Sequence, residues 1–244
     1  MILLLDIGNS RTKWAVLGPR GLGLSGSRGH GGGIEVLPAD IPISPDHVYA
    51  SNVAGPRMVE ALRAAVRSRW ACPLSFARTA AELGKLRNGY TEYQQLGVDR
   101  WLAMLAAFDR QQGAVCVVDA GTATTVDVVR ADGRHLGGFI LPGVDLMAQS
   151  LLDSTADLGR LRDPPAGAAS LEPGISTGAA IRDGAWLATV GLVERARALL
   201  PRGAALEVTG GQGAILAQFL GVECQDLLVL EGLALSWRAG AADG

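Results

Sequence analysis

Two similar motifs carry the residues best suited to chemistry, one near the start of the chain and one near its middle. In each motif an apolar run ends in an aspartate (Asp6 or Asp119), a glycine follows two residues later, and hydroxyl or amide side chains come next. A turn of this kind between two strands offers backbone N–H groups to a phosphate and a carboxylate to its cation. One copy in each half of the chain predicts two similar domains that bind one nucleotide, and therefore phosphoryl transfer.

The first motif also has a purely structural interpretation. An aspartate at the end of a strand can stabilise the turn that Gly8 requires, although its duplication at Asp119 favours ligand binding. Lys13 follows the first turn in a chain with few lysines. It is placed either to approach the phosphates as a point charge or to lie in solvent, and the sequence leaves both interpretations open.

A second group of candidate residues surrounds Asp99. Gly97 interrupts the preceding segment, and Val98, Asp99 and Arg100 open a predicted helix. An aspartate in the first helical turn interacts favourably with the helix dipole, which is the structural explanation. The functional explanation makes Asp99 a general base that takes a proton from a substrate hydroxyl. Arg100 would then bind an anionic group.

A third candidate is Thr209-Gly210-Gly211, which follows an apolar strand. Two glycines allow the backbone to pass close to a flat ligand such as adenine or to ribose. Taken alone, the same three residues are also a common turn between a strand and a helix.

The elements that position these residues follow an α/β pattern in two halves, residues 1–112 and 113–244. The first half is predicted to contain strands at 1–6, 11–17 and 47–51 and helices after Pro56 and over 98–108. Residues 18–33 are rich in glycine but lack the GxxxxGK(S/T) spacing of a phosphate loop, so we predict a mobile hairpin connection there.

The second half is predicted to begin with a strand at Ala114. The pattern then predicts a paired strand at 126–130, a hairpin turn at 131–134, and a helix that follows residues 137–143 and ends near 152. Residues 163–174 contain three prolines and are predicted to be a loop. A long helix at 177–200, a strand at 206–209, a short helix, a short strand and a last helix complete the prediction.

Composition and charge exclude several classes of protein. A net charge of -2 over 244 residues argues against a general nucleic-acid-binding surface. The first residues, Met-Ile-Leu-Leu-Leu, lack a basic segment and are too short for a signal peptide or membrane span, so we expect a cytoplasmic protein with no membrane partner. The three widely spaced cysteines fit reduced thiols. His30, His47 and His135 belong to no motif and are predicted to be surface or turn residues.

Together, the motifs resemble those of the type III pantothenate kinases, which belong to the superfamily of acetate kinase, sugar kinases, Hsp70 and actin. The resemblance covers essentially the whole chain, and the motifs occur in the family's order. They are DxGNS at 6–10, Tyr90 ahead of GVDR at 97–100, DxGTA at 119–123, GGFILPG at 137–143, Ser176-Thr177, and TGG at 209–211.

The resemblance implies two actin-like (ribonuclease-H-like) α/β domains with a nucleotide cleft between them. It also implies an enzyme that phosphorylates pantothenate to 4′-phosphopantothenate, the first step of coenzyme A biosynthesis, and that forms a homodimer. Its cofactors would be Mg²⁺ near Asp6 and a monovalent cation, K⁺ or NH₄⁺, at Asp119, with ATP as the phosphoryl donor. The implied catalytic base is Asp99.

The resemblance also assigns binding residues. ATP would contact the first turn, the second turn and the double glycine, that is Asp6, Ile7, Gly8, Asn9, Ser10, Arg11, Thr12, Lys13, Thr122, Gly210 and Gly211. Pantothenate would contact Tyr90, Gly97, Val98, Asp99, Arg100 and Thr177. The helix that contains Asp99 is expected near a subunit interface.

Two alternatives from other classes remain at this point. The same turns could serve a nucleotide-dependent binding protein without catalysis, such as an Hsp70-like switch or an accessory factor for transcription. Asp99, Arg100 and Thr177 together argue against it, because a switch needs no pantothenate site. A ribonuclease-H-like nuclease also begins with an aspartate on its first strand, but the acidic charge balance and the second Asp-Gly-Thr turn disfavour it.

Overall fold

The computed structural model describes residues 1–30, 37, 41–154 and 168–240. Its elements, in chain order, alternate between strands and helices. They are β1 (Ile2–Ile7), β2 (Arg11–Gly18), β3 (Gly21–Gly29), β4 (His47–Asn52), α1 (Pro56–Arg69), β5 (Leu74–Phe76), β6 (Glu82–Leu83), β7 (Leu86–Arg87), a 3₁₀ turn (Tyr93–Gln95), α2 (Val98–Gln111), β8 (Val115–Ala120), β9 (Ala123–Val129), β10 (His135–Pro142), α3 (Val144–Ser154), α4 (Thr177–Arg197), β11 (Ala205–Thr209), α5 (Gly213–Leu220) and α6 (Leu228–Arg238).

The chain forms two compact units. One comprises Met1–Arg110 and Leu227–Gly244, and the other comprises Gln111–Asp226. The sequence places every residue after 112 in a single second half, whereas the structure groups α6 with the N-terminal unit. The reason is close packing: a Cβ atom on Gly232 of α6 would overlap the backbone carbonyl of Leu102 in α2. Only a glycine allows the two helices to approach so closely.

The N-terminal unit is built on a five-stranded sheet with the order β3-β2-β1-β4-β5. The first three strands are antiparallel neighbours, and β1, β4 and β5 run parallel. Side chains alternate between the two faces of a strand, and β4 shows the consequence. Val48 and Ala50 join the core that contains Leu62 and Val66 of α1. The intervening Tyr49 donates or accepts a hydrogen bond with Ser236 of α6 at 3.0 Å, so α1 and α6 cover opposite faces.

The second unit repeats this plan with a four-stranded sheet of order β10-β9-β8-β11. Again β8, β9 and β10 are antiparallel neighbours, and β11 runs parallel to β8. Trp186 and Val193 of α4 and Leu216 of α5 pack on Val118 and Val208 of the sheet. Each unit therefore places an aspartate at the end of its first, central strand, as the duplicated motif predicts.

The glycine-rich segment is where the sequence prediction fails most clearly. Residues 21–29 are not a connection but strand β3, which pairs with β2 along its whole length. A Cβ atom on Gly26 would lie 2.8 Å from Nε1 of Trp14, so the glycine makes room for the indole ring of the neighbouring strand. Glycine disfavours an isolated strand, but the ladder with β2 and the space for Trp14 compensate.

Several smaller predictions can also be compared with the structure. The turn at 131–134 is confirmed, with Gly133 at φ +82° and its N–H donating to the carbonyl of Arg130. Residues 137–142 lie in β10 before α3 begins, and the expected short last strand is reduced to one bridge between Val208 and Cys224. Residues 31–33 and 163–167 of the predicted connection and loop lie outside the described residues; 168–174 contain no helix or strand.

No helix within the described ranges has both the length and the apolar character needed to cross a membrane.

Candidate active site

The first turn spans four residues, from Gly8 after β1 to Arg11, the first residue of β2. The N–H of Gly8 donates to the carbonyl of Arg11 at 3.0 Å and closes the turn. Asp6 and Lys13 are register partners on the two strands, so their side chains project from the same face of the sheet. Ile7 and Thr12 are buried behind the turn, whereas the tip is exposed at Asn9, Ser10 and Arg11. The exposed tip, flanked by one acid and one lysine, has the composition that a phosphate and its cation need.

The second turn is shorter by one residue and is held from one side by a glycine. Gly121 donates its N–H to the carbonyl of Ala123 at 3.1 Å, and Gly143, directly after β10, donates to the carbonyl of Thr122 at 2.9 Å. A Cβ atom on Gly143 would overlap the carbonyl of Gly121. The side chain of Thr122 is left exposed at the tip. The motif at 137–143 is recognisable in the sequence, but nothing in its pattern predicts that Gly143 holds the turn.

The double glycine lies against this second turn. Gly210 has φ +103°, and a Cβ atom there would overlap the carbonyl of Ala120 and contact the carboxylate of Asp119. The N–H of Gln212 donates to the same carbonyl of Ala120 at 2.9 Å. Gly210 is therefore required by both its backbone conformation and its surroundings. Asp119 and Gly210 thus lie close together, and the exposed Gly211 follows directly.

A buried hydroxyl lies beside Asp119. Thr209 is its register partner on the parallel strand β11, so the two side chains share a face of the sheet. Thr209 is 1% exposed, and its Oγ1 has no hydrogen-bond partner among the described residues. An oxygen buried without a partner is costly, and a carboxylate with neighbouring hydroxyl oxygens is a donor set that suits a hard cation. The residues at Asp119 therefore fit a cation site.

The third group of residues surrounds the N-terminus of α2. Arg100 is buried, and its Nη1 donates to the hydroxyl of Tyr90 at 3.0 Å. Asp99 is half-buried, and its Oδ1 accepts the backbone N–H of Arg100 at 2.8 Å. Gly97 and Val98 are half-buried at the same helix start. The structure thus places Tyr90 against Arg100, which directly follows Gly97, Val98 and Asp99 in the chain.

Two side chains that the sequence analysis missed hold the segment leading to this helix. Asn88 donates from Nδ2 to the carbonyl of Tyr93 at 3.4 Å, and its Oδ1 accepts the N–H of Tyr90 at 3.0 Å. Thr79 donates its hydroxyl to the carbonyl of Leu96 at 2.8 Å. Only the general preference of asparagine for turns could have indicated Asn88. Both residues fix the loop that carries Tyr90.

Thr177 is the first residue of α4 and is exposed. The preceding Ser176 caps the helix, because its side chain accepts the N–H of Ala179 at 3.3 Å. A Cβ atom on Gly174 would overlap the backbone of Ala180, so the chain packs closely on the first helical turn. These contacts fix the backbone at Thr177 while its hydroxyl stays accessible.

The strands behind the second turn contain buried ionisable groups. Nε2 of His135 donates to Oδ1 of Asp127 at 3.0 Å, and the two side chains are 0% and 2% exposed. The prediction that His135 lies at the surface or in a turn is therefore wrong: the carboxylate of Asp127 satisfies the ring inside the sheet. Burial, assisted by the nearby charge of Asp127, raises the pKa of the Cys116 thiol to about 12.

The chain is similar to known proteins over most of its length. Residues 2–198 match the sequence profile described as "Type III pantothenate kinase". A type III pantothenate kinase from Halorhodospira halophila is 40% identical to the chain, with 97% of each protein covered.

Two solved structures share the fold. One, described as a conserved putative Baf family transcriptional activator from Campylobacter jejuni, has a TM-score of 0.64 at 23% identity and covers 98% of both chains. The other, a putative 2-dehydro-3-deoxygalactonokinase from Sinorhizobium meliloti, has a TM-score of 0.52 at 17% identity and covers 98% of this chain and 99% of its own. The architecture is the actin-like, two-unit α/β fold of sugar kinases. The matching profile and the close relative show that the chain belongs to the type III pantothenate kinase family.

Proposed function

We propose that Asp99 is the general base of this kinase and that Arg100 and Tyr90 bind its acceptor substrate. The family's reaction, which this enzyme carries out, transfers the γ-phosphoryl group of ATP to pantothenate in coenzyme A biosynthesis. The observation that supports the proposal is the pairing at the start of α2. Consecutive residues there supply a half-buried carboxylate and a buried guanidinium, and the guanidinium donates a hydrogen bond to the hydroxyl of Tyr90.

The proposed steps divide between two kinds of residue. Arg100 presents its charge to the carboxylate of pantothenate, and Gly97, Val98 and Thr177 complete the substrate contacts. Asp99 accepts the proton of the substrate hydroxyl as that oxygen attacks the γ-phosphorus. The bond between the γ-phosphorus and the β–γ bridging oxygen breaks, and ADP leaves with the electron pair of that bond.

We assign ATP to the residues of the two turns. The exposed backbone at Asn9, Ser10 and Arg11 and the charge of Lys13 bind phosphate oxygens, supported by Asp6, Ile7, Gly8 and Thr12. In the second unit, Thr122, Gly210 and Gly211 contact the nucleotide. Positioning and charge neutralisation supply most of the catalysis in phosphoryl transfer, so these contacts are expected to affect turnover as well as affinity.

We further propose two cations. Mg²⁺ binds through few carboxylates and the substrate phosphates, so Asp6 alone beside the phosphate turn is a sufficient protein ligand. K⁺ or NH₄⁺ binds at Asp119, where the buried hydroxyl of Thr209 adds a second oxygen. When bound, these cations neutralise part of the negative charge on the phosphates.

We also propose that the enzyme is a cytoplasmic homodimer. The second unit exposes several large apolar side chains on its edge strand β10 and on α3, namely Phe139, Ile140, Leu146 and Leu151. The middle of α2 is buried within its own chain. If α2 approaches a partner, it does so with its first turn, which contains Asp99. The three cysteines are thiols, which fits a reducing compartment.

The experiment that tests the proposed function measures ADP release from ATP and Mg²⁺, with and without pantothenate, in K⁺ and in Na⁺ buffer. Turnover that requires both pantothenate and K⁺ is expected. Asp119→Asn should remove the difference between the two buffers. ADP release that is independent of pantothenate would contradict the assignment of the residues at α2, and equal rates in the two buffers would contradict the cation site.

A further inference from the structure

We propose that His30 is a positioning residue that holds the first turn in the shape that binds ATP. This inference rests on the proposed assignment of that turn to the nucleotide. His30 belongs to none of the motifs discussed above, and it comes directly after Gly29, the last residue of the glycine-rich strand β3. There it is half-buried against the turn.

Three hydrogen bonds connect His30 to the turn. Its backbone N–H donates to the carbonyl of Ser10 at 2.9 Å. Its ring contacts the carbonyl oxygen of Asn9 through Nδ1 at 3.3 Å and the hydroxyl of Thr12 through Nε2 at 2.8 Å. A carbonyl oxygen can only accept, so Nδ1 carries the hydrogen and donates to Asn9. In the neutral ring, Nε2 then accepts from the hydroxyl of Thr12.

The second unit provides an internal comparison. Gly143 occupies the corresponding place, directly after the third strand of its antiparallel set, and donates its N–H to Thr122 in the second turn. A backbone bond from this position is thus common to both turns. The first turn adds the two ring contacts of a histidine to it. The imidazole is therefore an addition specific to the first turn.

The difference in turn length explains why the addition matters. The first turn closes from Gly8 to Arg11, whereas the second closes from Gly121 to Ala123. A longer turn with an exposed tip has more conformations to lose when a ligand binds. A side chain that bonds both the tip, at Asn9, and the base, at Thr12, removes part of that freedom in advance. Preorganisation of this kind increases affinity for the ligand without contacting it.

The proposal predicts a selective effect of His30→Ala on the nucleotide. Loss of two neutral hydrogen bonds should raise the KM for ATP by about 3- to 30-fold. The KM for pantothenate at saturating ATP should stay within about two-fold of wild type, because different elements carry its contacts. Ser25→Ala, an exposed change on the same strand, is the matched control and should leave both constants unchanged.

Conservative variants distinguish the hydrogen bonds of His30 from the space that its side chain fills. The side-chain amide of His30→Asn is placed to replace the Nδ1 contact with Asn9, and that of His30→Gln to replace the Nε2 contact with Thr12. Each variant should recover part of the affinity for ATP. Thr12→Val removes the hydroxyl partner, so His30→Ala should cost less in that background than in wild type.

The outcomes that overturn the proposal are distinct from those that overturn the ATP assignment. A positioning role would be contradicted if His30→Ala had the wild-type KM for ATP. It would also be contradicted if His30→Ala raised both KM values equally and lowered the Tm, and the amide variants recovered nothing. Lys13→Gln provides the separate test. If it raises the KM for ATP while His30→Ala does not, only the role of His30 fails. If neither variant changes that KM, the turn is not the nucleotide site, and both proposals fail.

Discussion

Gly97 leaves the space that the carboxylate of Asp99 occupies. A Cβ atom at position 97 would lie 2.6 Å from Oδ1 of Asp99, closer than non-bonded atoms normally approach. The same Oδ1 accepts the N–H of Arg100 at 2.8 Å. The orientation of the proposed base is therefore fixed by a missing side chain on one side and a backbone hydrogen bond on the other.

Asp99→Asn should lower kcat by about 100-fold or more, because an amide cannot accept the proton of the pantothenate hydroxyl. The amide oxygen can still accept the N–H of Arg100, so the fold should be retained. Steady-state kinetics together with the far-UV circular dichroism spectrum check both expectations. Asp109→Asn, an exposed change at the other end of α2, is the control and should behave as wild type. Near-wild-type turnover in Asp99→Asn would remove Asp99 from the role of base.

Gly97→Ala tests the position of the carboxylate rather than its chemistry. The added methyl group must displace the Asp99 side chain, and a small displacement of a catalytic group can cost about 10- to 100-fold in rate. The expected loss is in kcat, with the Tm little changed. Gly18→Ala is the matched control, since a Cβ atom there meets nothing within 4 Å. If the two alanine variants have equal kcat, the space at Gly97 has no part in orienting Asp99.

His135→Ala should lower the free energy of unfolding by about 3 kcal/mol, because it leaves the carboxylate of Asp127 buried without its ring partner. Arg130→Ala removes the exposed ion pair with Asp132 in the adjacent hairpin and should cost less than about 1 kcal/mol. Urea unfolding of both variants gives the comparison. Equal losses would mean that the buried pair contributes no more than the exposed one.

The buried thiol of Cys116 should make the free energy of unfolding depend on pH in the alkaline range. Its pKa is raised to about 12, whereas an ordinary cysteine has a value of 9.0. Between these values the unfolded chain loses the proton and the folded chain keeps it. The difference in the free energy of unfolding between wild type and Cys116→Val should therefore be constant below pH 9. Above pH 9 the wild type should lose stability relative to the variant, by at most about 1.4 kcal/mol per pH unit. Urea unfolding from pH 7 to 10.5 measures this, and a pH-independent difference would show that the native thiol ionises normally.

The elements that the sequence predicts well are those set by local pattern. Both Asp-Gly turns, the strands that flank them, and the helix starts at Pro56, Val98 and Thr177 occur where expected. An apolar run, a turn residue and a helix cap each act over a few neighbours. Asp119 and Gly210 come together for the same reason, since each lies at the end of a predicted strand.

The features that the sequence does not predict depend on distant partners. Strand β3 pairs with β2, whose Trp14 occupies the space that a side chain at Gly26 would need. His135 is buried because Asp127 accepts its ring N–H, and no periodicity reveals that pair. Likewise Asn88 and His30 act on backbone carbonyls in other segments, so residue type alone could not distinguish them from ordinary loop residues.

The grouping of α6 with the N-terminal unit has a consequence for biosynthesis. The ribosome delivers β1, α1 and α2 early, but the helix that covers the face of the sheet at Tyr49 emerges only after all of Gln111–Asp226 has been made. A nascent chain can therefore complete its second unit while the first still exposes apolar surface that α6 will cover. Synthesis of α6, not the emergence of the first half, is therefore the event that allows the N-terminal unit to mature.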